Sequence, residues 1–138
     1  MEEVEQVRLA LELHRDNFYL PAHYEKHILR RPAAEWPDPV NRAFSHLNEK
    51  IYIPMQGPSE LGASGKLAKW DRTKDLTRIA VPTLVIGAEH DLMDPKHMEW
   101  MSKQLPKGEY LYCPNGSHMD MYDDQEAYMK GLIVFLKK

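Results

Sequence analysis

The chain has 138 residues, 43% hydrophobic and 28% charged, with a net charge of −3. That length suits one domain of ordinary size, and the balance excludes a disordered chain or a bundle of membrane spans. No basic surplus is available for nucleic acid or an anionic membrane surface. A single cysteine, Cys113, excludes an internal disulfide and points to a reducing compartment, the cytoplasm.

In chain order, residues 1–20 predict a first helix. Val4, Val7 and Leu11 form one apolar stripe, with Leu9 and Leu13 a second beside it. The opening M-E-E-V-E-Q is acidic and carries no apolar core, so no signal peptide is expected. Pro21 is expected to stop this helix, and residues 22–30 to make a short one carrying His23 and His27. Pro32, Pro37 and Pro39 make the next stretch irregular. Asp38 then reads as an N-cap with Pro39 in the first turn, and Val40, Phe44 and Leu47 as the buried face of that helix. From Ile51 the texture changes to I-Y-I-P-M-Q-G-P-S-E-L-G-A-S-G, which reads as a long functional loop. The expected division is 1–50, helical, and 51–138, an α/β part.

After a short helical segment at 70–79, Thr83 to Ile86 is an apolar, β-branched run. Pro82 stands before it and Gly87 at its expected end. Asp94-Pro95 is a second cap signal, with Met98, Met101 and Leu105 lining one helix face and Lys107-Gly108 closing it. A second strand, 109–113, leads to a last helix over 124–137. Tyr128, Met129, Leu132, Ile133, Phe135 and Leu136 are its expected apolar face. The order β-α-β-α makes the two strands parallel. Two parallel strands do not form a stable sheet alone, so the fold class is α/β, the C-terminal portion of a larger sheet, completed by an N-terminal part or a homo-oligomer partner.

Two strand ends offer chemistry. Asp91 follows the first strand and His118, in P-N-G-S-H, follows the second. They are the last two members of a nucleophile–acid–histidine triad in α/β-hydrolase chain order. The serines are Ser45, Ser59, Ser64, Ser102 and Ser117, and none lies in a G-x-S-x-G elbow; Gly62-Ala63-Ser64-Gly65 has the wrong spacing. Cys113 lies within a strand and reads as core. His90, Asp91, Asp94 and His97 are ligand types, but side chains at 90 and 91 diverge and Asp94 is better explained as a cap. Neither metal nor cofactor is expected. The methionines read as core and pocket lining, and Trp36, Trp70 and Trp100 as packing.

The blocks I-Y-I-P-M-Q-G-P-S-E-L-G, K-W-D-R-T, V-P-T-L-V-I-G-A-E-H-D-L-M-D-P and L-Y-C-P-N-G-S-H-M-D-M-Y-D-D-Q closely resemble the C-terminal half of proline iminopeptidases, serine aminopeptidases of the α/β-hydrolase fold. Residues 36–50 look like the end of that family's helical cap domain. The resemblance implies that Asp91 is the triad acid and His118 the triad base. It makes Glu60 the carboxylate that pairs with a substrate's free α-amino group, by a charge-assisted bond. It further implies release of an N-terminal proline or small apolar residue from a short peptide through an acyl-enzyme. Leu92 stands where some relatives carry a second acid. The family's serine elbow has no counterpart here, so these residues alone are expected to be inactive. Other α/β-hydrolases that share the acid and histidine, such as esterases and epoxide hydrolases, are the alternative, as is a non-catalytic assembly module.

Overall fold

A computed structural model describes residues 20–58 and 63–138. The helix expected at 1–20 lies, but for its last residue, outside the described residues, and so does Glu60. Four elements come first: α1 (Leu20–His27), a 3-10 turn Ala33–Glu35, α2 (Asp38–Ser45) and α3 (Glu49–Gln56). Two 3-10 segments, Lys66–Lys69 and Thr73–Arg78, lead to β1 (Thr83–Ala88). Then come α4 (Pro95–Gln104), β2 (Gly108–Cys113), the single turn α5 (Asp120–Asp123) and α6 (Gln125–Leu136). The chain divides into two compact units, Trp36–Leu76 and the remainder.

Within Trp36–Leu76, two expectations are corrected. Pro37 occupies the cap position in an extended conformation, so α2 starts one residue earlier than the Asp-Pro signal implied. Asp38 is its first helical residue and pairs with Arg42 at 2.8 Å. Val40 is buried and Phe44 lies against the Trp36 ring, but Leu47 falls beyond the helix end and is exposed. The second correction concerns I-Y-I-P-M-Q, which is helical, not loop. The amides of Ile51 and Tyr52 both reach the Asn48 carbonyl and start the turn. Pro54 then removes only one bond from an eight-residue helix. Gly57, at φ 111°, ends it. The boundary expected after residue 50 falls inside this helix.

In the other unit, β1 and β2 pair in parallel from Thr83↔Gly108 to Ala88↔Cys113, in a sheet of two strands among the described residues. The Asp94 side chain accepts the Lys96 N–H at 2.9 Å with Pro95 in the first turn, so α4 starts where the sequence places it. Gly87 does not end β1 but lies within it, because the Tyr110 side chain crosses that spot. A Cβ on residue 87 would meet Tyr110 Oη at 2.7 Å, and that hydroxyl donates to the Pro95 carbonyl. Ile28, Leu29, Val85, Ala88, Leu105 and Cys113 are buried here. The expected continuous face of α6 is only partly covered. Tyr128, Leu132 and Phe135 are half-buried, whereas Met129, Ile133 and Leu136 are exposed, as is Val134. A helix apolar on so many sides needs a neighbour on each. Among the described residues it has β2 and α5. No helix of the described residues is long and apolar enough to cross a membrane.

Candidate active site

The acid and the histidine meet at the C-terminal ends of the two strands, and the reason is visible one hydrogen bond at a time. Beyond Ala88 the chain turns through Glu89 and His90. The Glu89 N–H donates to the Cys113 carbonyl at 3.1 Å and the His90 N–H to the Gly116 carbonyl at 3.0 Å, so the loop after β1 is laced to the loop after β2. The Asp91 N–H closes the turn on the Ala88 carbonyl. Asp91 Oδ1 accepts the Met93 N–H at 3.3 Å and faces His118 Nδ1 at 3.1 Å.

The histidine loop is built on small residues. Gly116 and Ser117 are buried. A Cβ on residue 116 would stand 2.5 Å from Asp120 Cβ and 3.2 Å from Ala88 Cβ, so only glycine lets the loop lie this close to the end of β1. Ser117, fully buried, donates its N–H to Asp123 Oδ1 at 3.0 Å. Its hydroxyl lies within reach of both Asp123 Oδ2 and the Ile28 carbonyl. Asp124, the residue before α6, accepts the Asn115 N–H instead of capping its own helix.

This geometry defines a tautomer. The Asp91 side chain is 10% exposed and that of His118 43%, so the carboxylate is sheltered while the imidazole reaches solvent. With Asp91 Oδ1 accepting the Nδ1–H, the neutral His118 ring holds its lone pair on Nε2. Cys113 is no ready nucleophile beside this pair. Burial, and then the neighbouring Asp120 carboxylate, push its thiol up to about 12. Asp120 is itself buried, and that burial raises its carboxyl above the usual range. The Cys113 hydrogen bond opposes the rise, and Asp123 and Asp91 add to it.

The other ligand-type residues scatter. His90 offers its backbone carbonyl to His27 Nδ1, Asp94 caps α4 and His97 stacks on Trp100. No group of three or more metal-ligating side chains is present among the described residues. Ser64 is exposed, with its N–H on the Gln56 carbonyl. Three residues were not singled out beforehand as parts of the site: His27, Ser117 and Asp123. Ser117 and Asp123 stand within five residues of His118 in S-H-M-D-M-Y-D and could have been read as loop braces. His27 is 63 positions from His90 and no local signal marks it.

No protein-family model matches the chain. It is 54% identical over 115 residues to a proline iminopeptidase of Chitinophaga pinensis, covering 83% of this chain and 38% of that one. It is 56% identical over 117 residues to one of Flavobacterium johnsoniae, covering 85% and 39%. A proline iminopeptidase of Saccharolobus solfataricus is 30% identical over 114 residues, 82% of this chain and 36% of that one. The chain thus spans about two fifths of the curated relatives it matches. Among solved structures, VinJ superposes with a TM-score of 0.82 at 25% identity, over 98% of this chain and 47% of that one. The Mycobacterium smegmatis proline iminopeptidase superposes with 0.74 at 26%, over 98% and 44%. Sequence and backbone therefore agree that the chain resembles the C-terminal half of proline iminopeptidases and has the fold of the C-terminal portion of an α/β-hydrolase.

Proposed function

We propose that these residues supply the acid and the base of a serine aminopeptidase that releases proline, or a small apolar residue, from the N-terminus of a peptide. The observation that carries the reading is the 3.1 Å contact of His118 Nδ1 with Asp91 Oδ1 at the ends of adjacent parallel strands. Asp91 holds the imidazole and steadies its charged form. His118 Nε2 takes the proton of a serine hydroxyl as it attacks the peptide carbonyl, then gives it to the leaving amine. The G-x-S-x-G serine comes from sequence outside these 138 residues, and without it the chain is inactive. The part that carries it also completes the sheet. β1, T-L-V-I-G-A, has no charge to protect an edge, whereas β2 carries Glu109, which pairs with Lys138. Glu60 is assigned to the substrate's free ammonium group.

The test is Glu60→Gln in the completed enzyme, assayed on proline p-nitroanilide and on p-nitrophenyl acetate. Hydrolysis of the free-amine substrate is expected to fall about 10²-fold or more, consistent with loss of a charge-assisted bond, while ester cleavage holds. An equal fall on both would refute the aminopeptidase assignment and favour a general α/β-hydrolase such as an esterase. A completed, folded assembly that cleaves neither substrate would leave the assembly-module reading, which the exposed apolar residues of α6 favour.

A further inference from the structure

The last residue of α1 and the segment that follows it are sewn to both catalytic loops. The His118 N–H donates to the His27 carbonyl and the Met119 N–H to the Ile28 carbonyl, each at 2.9 Å. Ser117 Oγ reaches the same Ile28 carbonyl, Arg30 N–H donates to Asp123 Oδ2, and Arg30 Nη1 donates to the Asn115 carbonyl at 2.9 Å. Arg31 Nη2 donates to the Tyr122 carbonyl. All of these hold the histidine loop. One bond goes to the acid loop: His27 Nδ1 donates to the His90 carbonyl at 2.8 Å.

We infer that His27 is a positioning residue that couples the acid loop to the histidine loop and so sets the contact between Asp91 and His118. Its side chain fixes the peptide bond that leads directly into Asp91, and its backbone fixes the amide of His118 itself. The bond to a carbonyl requires a proton on Nδ1, which the ring has in that tautomer when neutral and always when charged, so the bracket does not depend on the charge of His27. The His23 ring flanks it, with centroids 5.1 Å apart. Geometry at this level matters for rate, because a misplacement of about 1 Å at a catalytic group costs on the order of 10²-fold.

The test has a structural arm and a kinetic arm, and the kinetic arm alone rests on the proposed hydrolase function. His27→Asn retains an amide N–H where Nδ1–H stands, and His27→Phe retains a ring without a donor. In the completed assembly, imidazole ¹⁵N and ¹H NMR at neutral pH reads the tautomer of His118. The Nδ1-protonated form is expected to persist in His27→Asn and to lose its predominance in His27→Phe. In the completed enzyme, His27→Phe should lower kcat about 10²-fold with little change in KM, and His27→Asn should restore most of it. Should His27→Phe fail to fold, His27→Gln, whose amide is displaced by one methylene, carries the same comparison. A His118 tautomer unaffected by His27→Phe, or by Gln in its place, overturns the inference. A tautomer that responds in an assembly with no hydrolytic activity upholds the bracket and refutes the hydrolase reading instead.

Discussion

Ser117→Ala removes one oxygen from the loop that carries His118, and its cost can be worked from the bonds that remain. The hydroxyl is fully buried and its single proton has two acceptors within reach, the Ile28 carbonyl and Asp123 Oδ2. Neither acceptor is orphaned by its loss. Ile28 keeps the Met119 N–H, and Asp123 keeps the amides of Ser117 and Arg30. A hydrogen bond whose partners keep other bonds contributes about 0.5–1.5 kcal/mol net, and one to a carboxylate lies at or above the upper end, so about 1.5 kcal/mol is expected. Unfolding entropy of roughly 2.1 cal/mol/K per residue gives about 0.3 kcal/mol/K for a chain of this length, and hence a fall in Tm of about 5 °C. Thermal unfolding followed by circular dichroism measures it. A Tm within about 1 °C of the parent would mean that the hydroxyl makes no net contribution, and that the histidine loop is not held by this network.

Other perturbations follow from the same geometry. Gly116→Ala places a methyl 2.5 Å from Asp120 Cβ, and overpacking there should cost about 1–3 kcal/mol and shift the His118 ring resonances; an unchanged Tm and spectrum would contradict the close approach. Asp120→Asn addresses a carboxyl whose pKa is raised, first by burial. The folded state then holds the proton more tightly than the unfolded chain, so stability falls as pH rises from the unfolded value of about 3.8 through the folded one. The amide variant should gain Tm relative to the parent above that window and lose the gain below it; a gain independent of pH would refute the burial argument. Asp94→Ala removes the α4 cap and should cost about 1 kcal/mol in denaturant unfolding, with no effect meaning that Lys96 N–H finds an equivalent partner in water.

The strands, their parallel order and the helix between them were legible because each is signalled locally. β1 is a short apolar run, α4 opens on Asp-Pro, and the acid and histidine both sit just past a strand. Glu49–Gln56 was misread because Pro54 and the β-branched Ile51 and Ile53 argue against a helix, while the turn is started from outside them, by the Asn48 carbonyl. Gly87 was misread as a terminator because its role depends on Tyr110, which sits 23 residues away and crosses over it. The lacing of the two loops by His27, Ile28 and Arg30 was invisible for the same reason. Those partners are brought together only by folding, and nothing in a backbone carbonyl advertises what it will accept. The half-covered face of α6 gives the opposite lesson. Its periodicity announces a helix with more neighbours than the described residues provide.

The central claim is that Asp91 and His118 form the working half of a triad whose serine lies elsewhere. Its most direct test joins these 138 residues to the part of the Flavobacterium johnsoniae proline iminopeptidase that they do not match, and measures hydrolysis of proline p-nitroanilide. Activity in the hybrid, silence in the chain alone and loss in His118→Ala is the predicted pattern. A folded hybrid that stays silent, or one that keeps its activity without His118, would contradict the account.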